Sequence, residues 1–357
     1  MIVRPSDILS IDTTNSPQYL KDAIDFAKEW LEGKQSFIVA TSGSTGTPKK
    51  IEIHRDQMIA SAKKTIAALG LKEGMTALVC LDVKYIAGKM MVVRSLVAGM
   101  NMIIVEPKAI PLAGVDTEDI DFAALIPFQV AHTLDSLQRQ QLDSIRKIII
   151  GGSSLSTPVL KDIQKLRAEC YATFGMTETL SHIALQKLNG VDKQDFFVTL
   201  EGIQISIDER QCLVIKADYL KEFIVTNDIV ELIDDKRFRW LGRADTVINS
   251  GSVKIFPENI EKKIDDYFSS RNIDNLSIAF GAPHERLGQQ VVLVIQGTLS
   301  KVQERDLMNH LKGTLDRYEV PKQVLYLEEF KRTPTGKIDR RQSFLDASPR
   351  AKKFWEF

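Results

Sequence analysis

Short apolar runs alternate with segments of helical period through the first two thirds of the chain. That alternation limits the fold more than any other feature. Phe37-Ile38-Val39-Ala40, Ala77-Leu78-Val79-Cys80-Leu81, Met102-Ile103-Ile104-Val105 and Lys147-Ile148-Ile149-Ile150 read as buried strands. Helical stretches lie between them. Asp56 to Leu69 places Met58, Ile59, Ala62, Ile66 and Leu69 on one side; Gly88 to Ala98 follows, then Pro158 to Ala168 with its proline in the first turn. Strands that alternate with helices predict layered α/β structure.

The pattern changes after Phe196. Gly202 to Ile207, Leu213-Val214-Ile215, Phe223-Ile224-Val225 and Val230 to Ile233 are short strands with polar breaks, which predict an antiparallel β region, a candidate small barrel. From Asp245 the chain reads as a smaller α+β unit. Its helices are Pro257 to Phe268 and Arg305 to Leu315. Its strands are Ile278-Ala279-Phe280, Val291 to Ile295 and Val324 to Leu327. The expected division is therefore residues 1–244 and 245–357, and 357 residues are enough for two cores.

Charge excludes some partners. Lys+Arg and Asp+Glu are both 47, so nothing draws the whole chain to nucleic acid or an anionic membrane. No apolar run approaches the ~20 residues of a membrane span. The start, Met1-Ile2-Val3-Arg4-Pro5, lacks a charged segment followed by an apolar one. A cytoplasmic location is expected. Cys80, Cys170 and Cys212 are far apart and read as small buried residues in a reducing compartment. The five histidines form no ligand pair, so no histidine metal site is expected.

The chemistry begins at Thr41-Ser42-Gly43-Ser44-Thr45-Gly46-Thr47-Pro48-Lys49, directly after the first strand. Two glycines permit a tight turn with inward N–H groups, the hydroxyls add donors, and Lys49 adds a cation. This is a phosphate cradle, and the Walker A spacing does not fit it. The loop resembles the signature of the AMP-forming adenylating superfamily, which includes acyl-CoA synthetases, peptide-synthetase adenylation domains and luciferases. Four further segments resemble that family's motifs in the same order: Phe174-Gly175-Met176-Thr177-Glu178, Thr226-Asn227-Asp228, Gly242-Arg243-Ala244-Asp245 with Gly251, and Pro334-Thr335-Gly336-Lys337.

The resemblance implies two half-reactions. A carboxylate attacks the α-phosphorus of ATP to give an acyl-adenylate, and coenzyme A then takes the acyl group. Aligning two anions and neutralising the charge that builds on phosphorus demands fixed donors and cations. By the resemblance, Lys337 serves adenylation, with an ammonium on a flexible stem to bridge the acyl oxygen and the α-phosphate. Glu178, with Thr177 beside it, helps hold Mg²⁺ against the phosphates. Gly152, Ser153, Phe174 and Gly175 line the nucleotide, Asp228 accepts from the ribose hydroxyls, and Arg243 contacts ribose or phosphate. The family usually has Thr-Gly-Asp where this chain has Thr226-Asn227-Asp228; asparagine tolerates the left-handed backbone that glycine would adopt. Asp245 is the hinge about which the small unit turns, and Gly251 lies beside the pantetheine thiol.

Within the superfamily, Lys84 to Arg94 resembles the corresponding segment of o-succinylbenzoate–CoA ligases of menaquinone synthesis, with Gly88 and Arg94 in place and Tyr85 where histidine is common. By the resemblance, the chain is expected to lack the early part of the family's large domain. o-Succinylbenzoate carries a second carboxylate, and a buried anion needs a partner. Arg94, Lys89, Ser181 and His182 are the candidates, with Tyr85 as a further acyl-site residue. Arg94 reads equally as a helix-surface arginine, and His182 as a core or rim histidine. Another aryl- or acyl-CoA ligase, or an enzyme that loads a carrier protein, would share the same motifs.

Overall fold

The computed structural model describes residues 2–40, 50–116, 119–332 and 338–348. The phosphate-loop residues Thr41 to Lys49 and the proposed catalytic Lys337 lie outside them. A twelve-stranded mixed sheet dominates. Its parallel part consists of Thr76–Val79, Asn101–Ile104, Phe122–Leu125, Lys147–Ile150 and Glu169–Gly175. These strands send alternate side chains to opposite faces. Ala77, Val79, Met102, Phe122 and Ile149 join one core, with the helices Gln18–Leu31, Arg55–Leu69 and Ile86–Ala98. Leu78, Ile103, Ala123, Leu125, Ile148 and Ile150 join a second core on the other face, under Pro127–Leu134, Arg139–Ser144 and Thr157–Ile163. A strand buried on both faces has no polar side, which is why these runs read as continuously apolar.

The strand His182–Lys187 pairs antiparallel with Glu169–Gly175, and from there the same sheet continues as Phe197–Thr199, Arg237–Arg243, Ile224–Leu232, Cys212–Ala217 and Ile203–Ile207. The strands expected to form a small barrel are thus one end of the large sheet. Phe223 to Val225 and Val230 to Ile233 belong to a single strand rather than two. Phe37 to Ala40 is a strand, but it pairs with Lys50–His54 in a separate hairpin.

The helix expected to reach Ala168 stops at Ile163. The Asn189 side-chain amide bonds the carbonyl oxygens of Ile163, Leu166 and Ala168 at 3.2, 3.0 and 2.8 Å. It satisfies the loose end of the helix and frees the next residues to enter the sheet. The entering strand, Glu169–Gly175, carries the buried Cys170; all three cysteines are buried and unpaired.

Residues from Ile248 onward form a five-stranded sheet. Its central strand, Gly288–Gln296, sends Val291, Leu293 and Ile295 towards the helices Pro257–Ser270 and Lys301–Thr314. Val292 and Val294 face the helix Arg340–Ala347. Arg340 anchors that last helix through a two-pronged ion pair with the largely buried Glu261. No helix among the described residues is long and apolar enough to cross a membrane.

Candidate active site

The strand Glu169–Gly175 has a parallel neighbour on one side and an antiparallel neighbour on the other. It is the last of the parallel strands, and ligands of α/β sheets gather outside the carboxyl ends of such strands. Met176 to Ser181 form the turn at that end. Thr179 fixes it: its hydroxyl accepts from the Met176 amide at 2.9 Å and bonds the Ser181 carbonyl at 2.7 Å. Leu180 is held at φ 65°. Glu178 projects from this turn as an exposed carboxylate, with Thr177 half-buried beside it. A single hard oxygen ligand on an open turn suits a magnesium ion that keeps most of its own waters and takes its other ligands from phosphates.

Arg94 contradicts its reading as a surface residue. It is 2% exposed, on the inward face of the helix Ile86–Ala98. One Nη donates to the Ser181 hydroxyl, and the other lies 3.8 Å from the Met91 sulfur. Its Nε–H is buried with no partner, and no carboxylate pairs with it among the described residues. Burial lowers its pKa to about 10 from 12.5. A charged group so placed usually has an opposite charge beside it.

His182 is 6% exposed and lies behind Ser181. Its Nδ1 is 3.3 Å from the Ser181 hydroxyl and its Nε2 is 3.1 Å from the Thr65 hydroxyl. Burial first, and the Arg94 charge second, hold its pKa well below the usual imidazole value. Tyr219 closes the same region, its hydroxyl donating to the Thr179 carbonyl at 3.2 Å. Arg94, Ser181 and His182 are therefore brought together. Lys89 is not with them: its ammonium sits over the Phe26 ring, 4.5 Å from the centroid. Tyr85 precedes the same helix and is 51% exposed. Sequence reading missed Thr65 and Tyr219. The signal for Thr65 was two hydroxyl residues, Ser61 and Thr65, four apart among the apolar positions of Arg55–Leu69.

Farther along the sheet, Asp228 and Arg243 are register partners on adjacent strands. Asp228 is 8% exposed and accepts from the Trp240 indole N–H at 2.9 Å, with an Arg243 Nη at 3.7 Å. Arg243 also grips Asp245 with two bonds of 2.9 Å, and those bonds chiefly raise its pKa. Asn227 is an extended strand residue, so the left-handed backbone expected there is absent; its side chain accepts from Arg210 at 3.1 Å. Gly151 leads from the strand Lys147–Ile150 to Gly152, at φ 99°, and to Ser153, both exposed. Phe174 packs edge-on against Phe197 and Phe238, with ring centres 5.6 and 5.1 Å away. Gly251 is at φ 66°, and its amide donates to the Leu287 carbonyl at 2.7 Å.

The family model of AMP-binding enzymes matches residues 6–203, more than half of the chain. The chain belongs to the AMP-binding enzyme family. With its relatives, this makes it an AMP-forming acid–CoA ligase. Among solved structures, the acyl-CoA synthetase (AMP-forming)/AMP-acid ligase II-like protein of Dyadobacter fermentans is 38% identical, with a TM-score of 0.67 over 98% of this chain and 99% of that one. An o-succinylbenzoate coenzyme A synthetase from Bacillus subtilis, solved with ATP and magnesium, shares the fold at a TM-score of 0.74 and 20% identity, over 86% of this chain and 69% of its own. The 2-succinylbenzoate–CoA ligase of Staphylococcus epidermidis is 26% identical over 330 residues, 85% of this AMP-binding enzyme and 68% of the relative. That of Lactococcus lactis is 26% identical over 348 residues, 92% and 74%.

Proposed function

We propose that this enzyme converts o-succinylbenzoate to its coenzyme A thioester, with ATP, magnesium and coenzyme A as co-substrates. The aliphatic carboxylate attacks the α-phosphorus, the bond to pyrophosphate breaks, and acyl-AMP forms. The thiol sulfur of coenzyme A then attacks the acyl carbon, loses its proton to solvent, and expels AMP. Lys337, Thr41 to Lys49, Glu178, Asp228 and Arg243 carry the nucleotide part of this reading.

One observation carries the choice of acid. Arg94 is a buried guanidinium with an unbonded Nε–H and no carboxylate partner among the described residues. A guanidinium donates two parallel hydrogen bonds to a carboxylate, and the ring carboxylate of o-succinylbenzoate is the group that would take that place. The names of the bacterial relatives support the same acid.

The test compares o-succinylbenzoate with its analogue lacking the ring carboxylate, by pyrophosphate release. The wild type should strongly prefer the dicarboxylate. Arg94→Ala should lose about 2–3 kcal/mol of that preference, some 30- to 150-fold in kcat/KM, while activity on the analogue changes little. A wild type without preference sinks the proposed acid and leaves a general aryl-CoA ligase.

A further inference from the structure

The buried polar groups behind the proposed acid site form one line, and its ends fix the order of protons along it. Arg94 has only donors. Its Nη–H therefore gives a hydrogen to the Ser181 oxygen. The Ser181 proton must go elsewhere, and the His182 Nδ1, 3.3 Å away, is the acceptor within reach among the described residues. An Nδ1 that accepts carries no proton, so in the uncharged ring the proton is on Nε2. That nitrogen then donates to the Thr65 oxygen at 3.1 Å, and the Thr65 hydroxyl donates to the Ser61 carbonyl at 3.5 Å, inside the helix Arg55–Leu69. The line runs Arg94, Ser181, His182, Thr65, Ser61, each giving a proton to the next.

We propose that His182 is a positioning residue, held by Thr65 as the neutral Nε2–H tautomer, and that it turns the Ser181 hydroxyl so that Arg94 keeps its Nε edge for the anionic end of the acid.

The arrangement has a definite alternative. If Nδ1 carried the proton it would donate to Ser181, and the Ser181 hydroxyl would then have two donors facing it and its own proton without an acceptor. Protonating the ring on both nitrogens would do the same and would set a second cation beside the guanidinium. Arg94 is the charged group that faces the imidazole, Thr65 and Ser181 are its uncharged neighbours, and Tyr219 adds a phenol near Arg94 whose hydroxyl is given to the Thr179 carbonyl. None of these groups offers a negative charge to stabilise an imidazolium. His182 does not touch the acid in this scheme; it acts through Ser181 and Arg94.

The substrate part of this inference rests on the reading of Arg94 as the anion site, but the proton order does not, so two measurements separate them. The first is ¹⁵N-edited NMR of the full chain with labelled histidine, the His182 signals being assigned by their loss in His182→Asn. The expected spectrum is the neutral Nε2–H pattern, unchanged between pH 5.5 and 8.5. An Nδ1–H pattern, or an ordinary titration in that range, overturns the proposal.

The second measurement is kinetic. Asparagine can place an oxygen where Nδ1 stands, whereas leucine offers no acceptor. His182→Leu and Thr65→Val should raise KM for o-succinylbenzoate about tenfold, the cost of one buried hydrogen bond, with kcat and KM for ATP within about threefold of wild type. His182→Asn should recover most of the loss. Equal damage from asparagine and leucine would make His182 a packing residue only. If the wild type ignores the ring carboxylate, the choice of acid falls, and the NMR result still decides the tautomer.

Discussion

Gly175 approaches His182 too closely for a side chain: a Cβ built on Gly175 would stand 2.8 Å from the His182 amide nitrogen and nearer still to its Cα and to the Ser181 carbonyl oxygen. The pairing between their two strands shifts register at this point. The chain therefore doubles back tightly enough to bring Ser181 and His182 against Arg94. Gly175→Ala must push backbone against backbone, which costs about 1–3 kcal/mol, occasionally more. The expected result is a lower melting temperature and a kcat/KM for the acid reduced at least about tenfold, because Ser181 and His182 move. Wild-type kinetics in a stably folded variant would show that the turn does not set the acid site.

The two half-reactions can be separated at Lys337. Lys337→Ala should nearly abolish pyrophosphate release while coenzyme A transfer from supplied acyl-AMP continues. An ammonium that neutralises the α-phosphate matters only when phosphorus is attacked. Equal loss in both steps would mean that the lysine serves some common need, such as folding.

Asp245 offers the complementary separation. Asp245→Pro fixes φ near −65° and should block rotation at the proposed hinge, leaving adenylation and losing thioester formation. Because Arg243 holds the Asp245 carboxylate with two bonds, Asp245→Ala is the needed control. The alanine variant should retain both steps. Should alanine behave as proline does, the carboxylate rather than the hinge is what matters.

Asp265 gives a pH-dependent prediction. Burial raises its pKa to about 6 from 3.8, with Glu261 and Asp266 adding to the shift. Its folded value lies above its unfolded value, so the stability it contributes is fully present below about pH 4 and is lost as the pH rises through 6. Asp265→Asn should therefore raise the melting temperature at pH 8 by about 2–4 °C, and less as the pH falls towards 5. A shift of the same size at both values would point to packing instead of charge.

Much of this was legible in the residues. The strands Lys147–Ile150 and Asn101–Ile104 announced themselves because a strand covered on both faces must be apolar throughout. Two of the motif segments fall at strand ends: Phe174-Gly175 closes Glu169–Gly175 and Gly242-Arg243 closes Arg237–Arg243. What stayed hidden depends on contacts across long separations. Nothing local says that Ile224–Leu232 is one strand or that Asn189 ends a helix twenty-odd residues earlier. Arg94 could be read equally as an acid-site residue or a helix-surface arginine, because burial belongs to the assembled layers and leaves no mark on the neighbouring sequence. Arg94, Ser181 and His182 could be named as candidates one by one, but the polar Thr65 on an apolar helix face was the hint of the line they form that went unread.

Ser181 and His182 meet partners 87 and 117 residues earlier in the chain. Such distant pairs close late, since the intervening loop must lose its freedom before they gain anything. A chain growing from its N-terminus makes Arg94 well before it makes Ser181, and until then the guanidinium can remain hydrated. Assembly of the Arg94, Ser181 and His182 cluster thus reports on completion of the whole sheet as far as the antiparallel reversal. A nascent chain that stops short of that strand would hold an exposed helix and an unsatisfied cation, the sort of surface that chaperones retain.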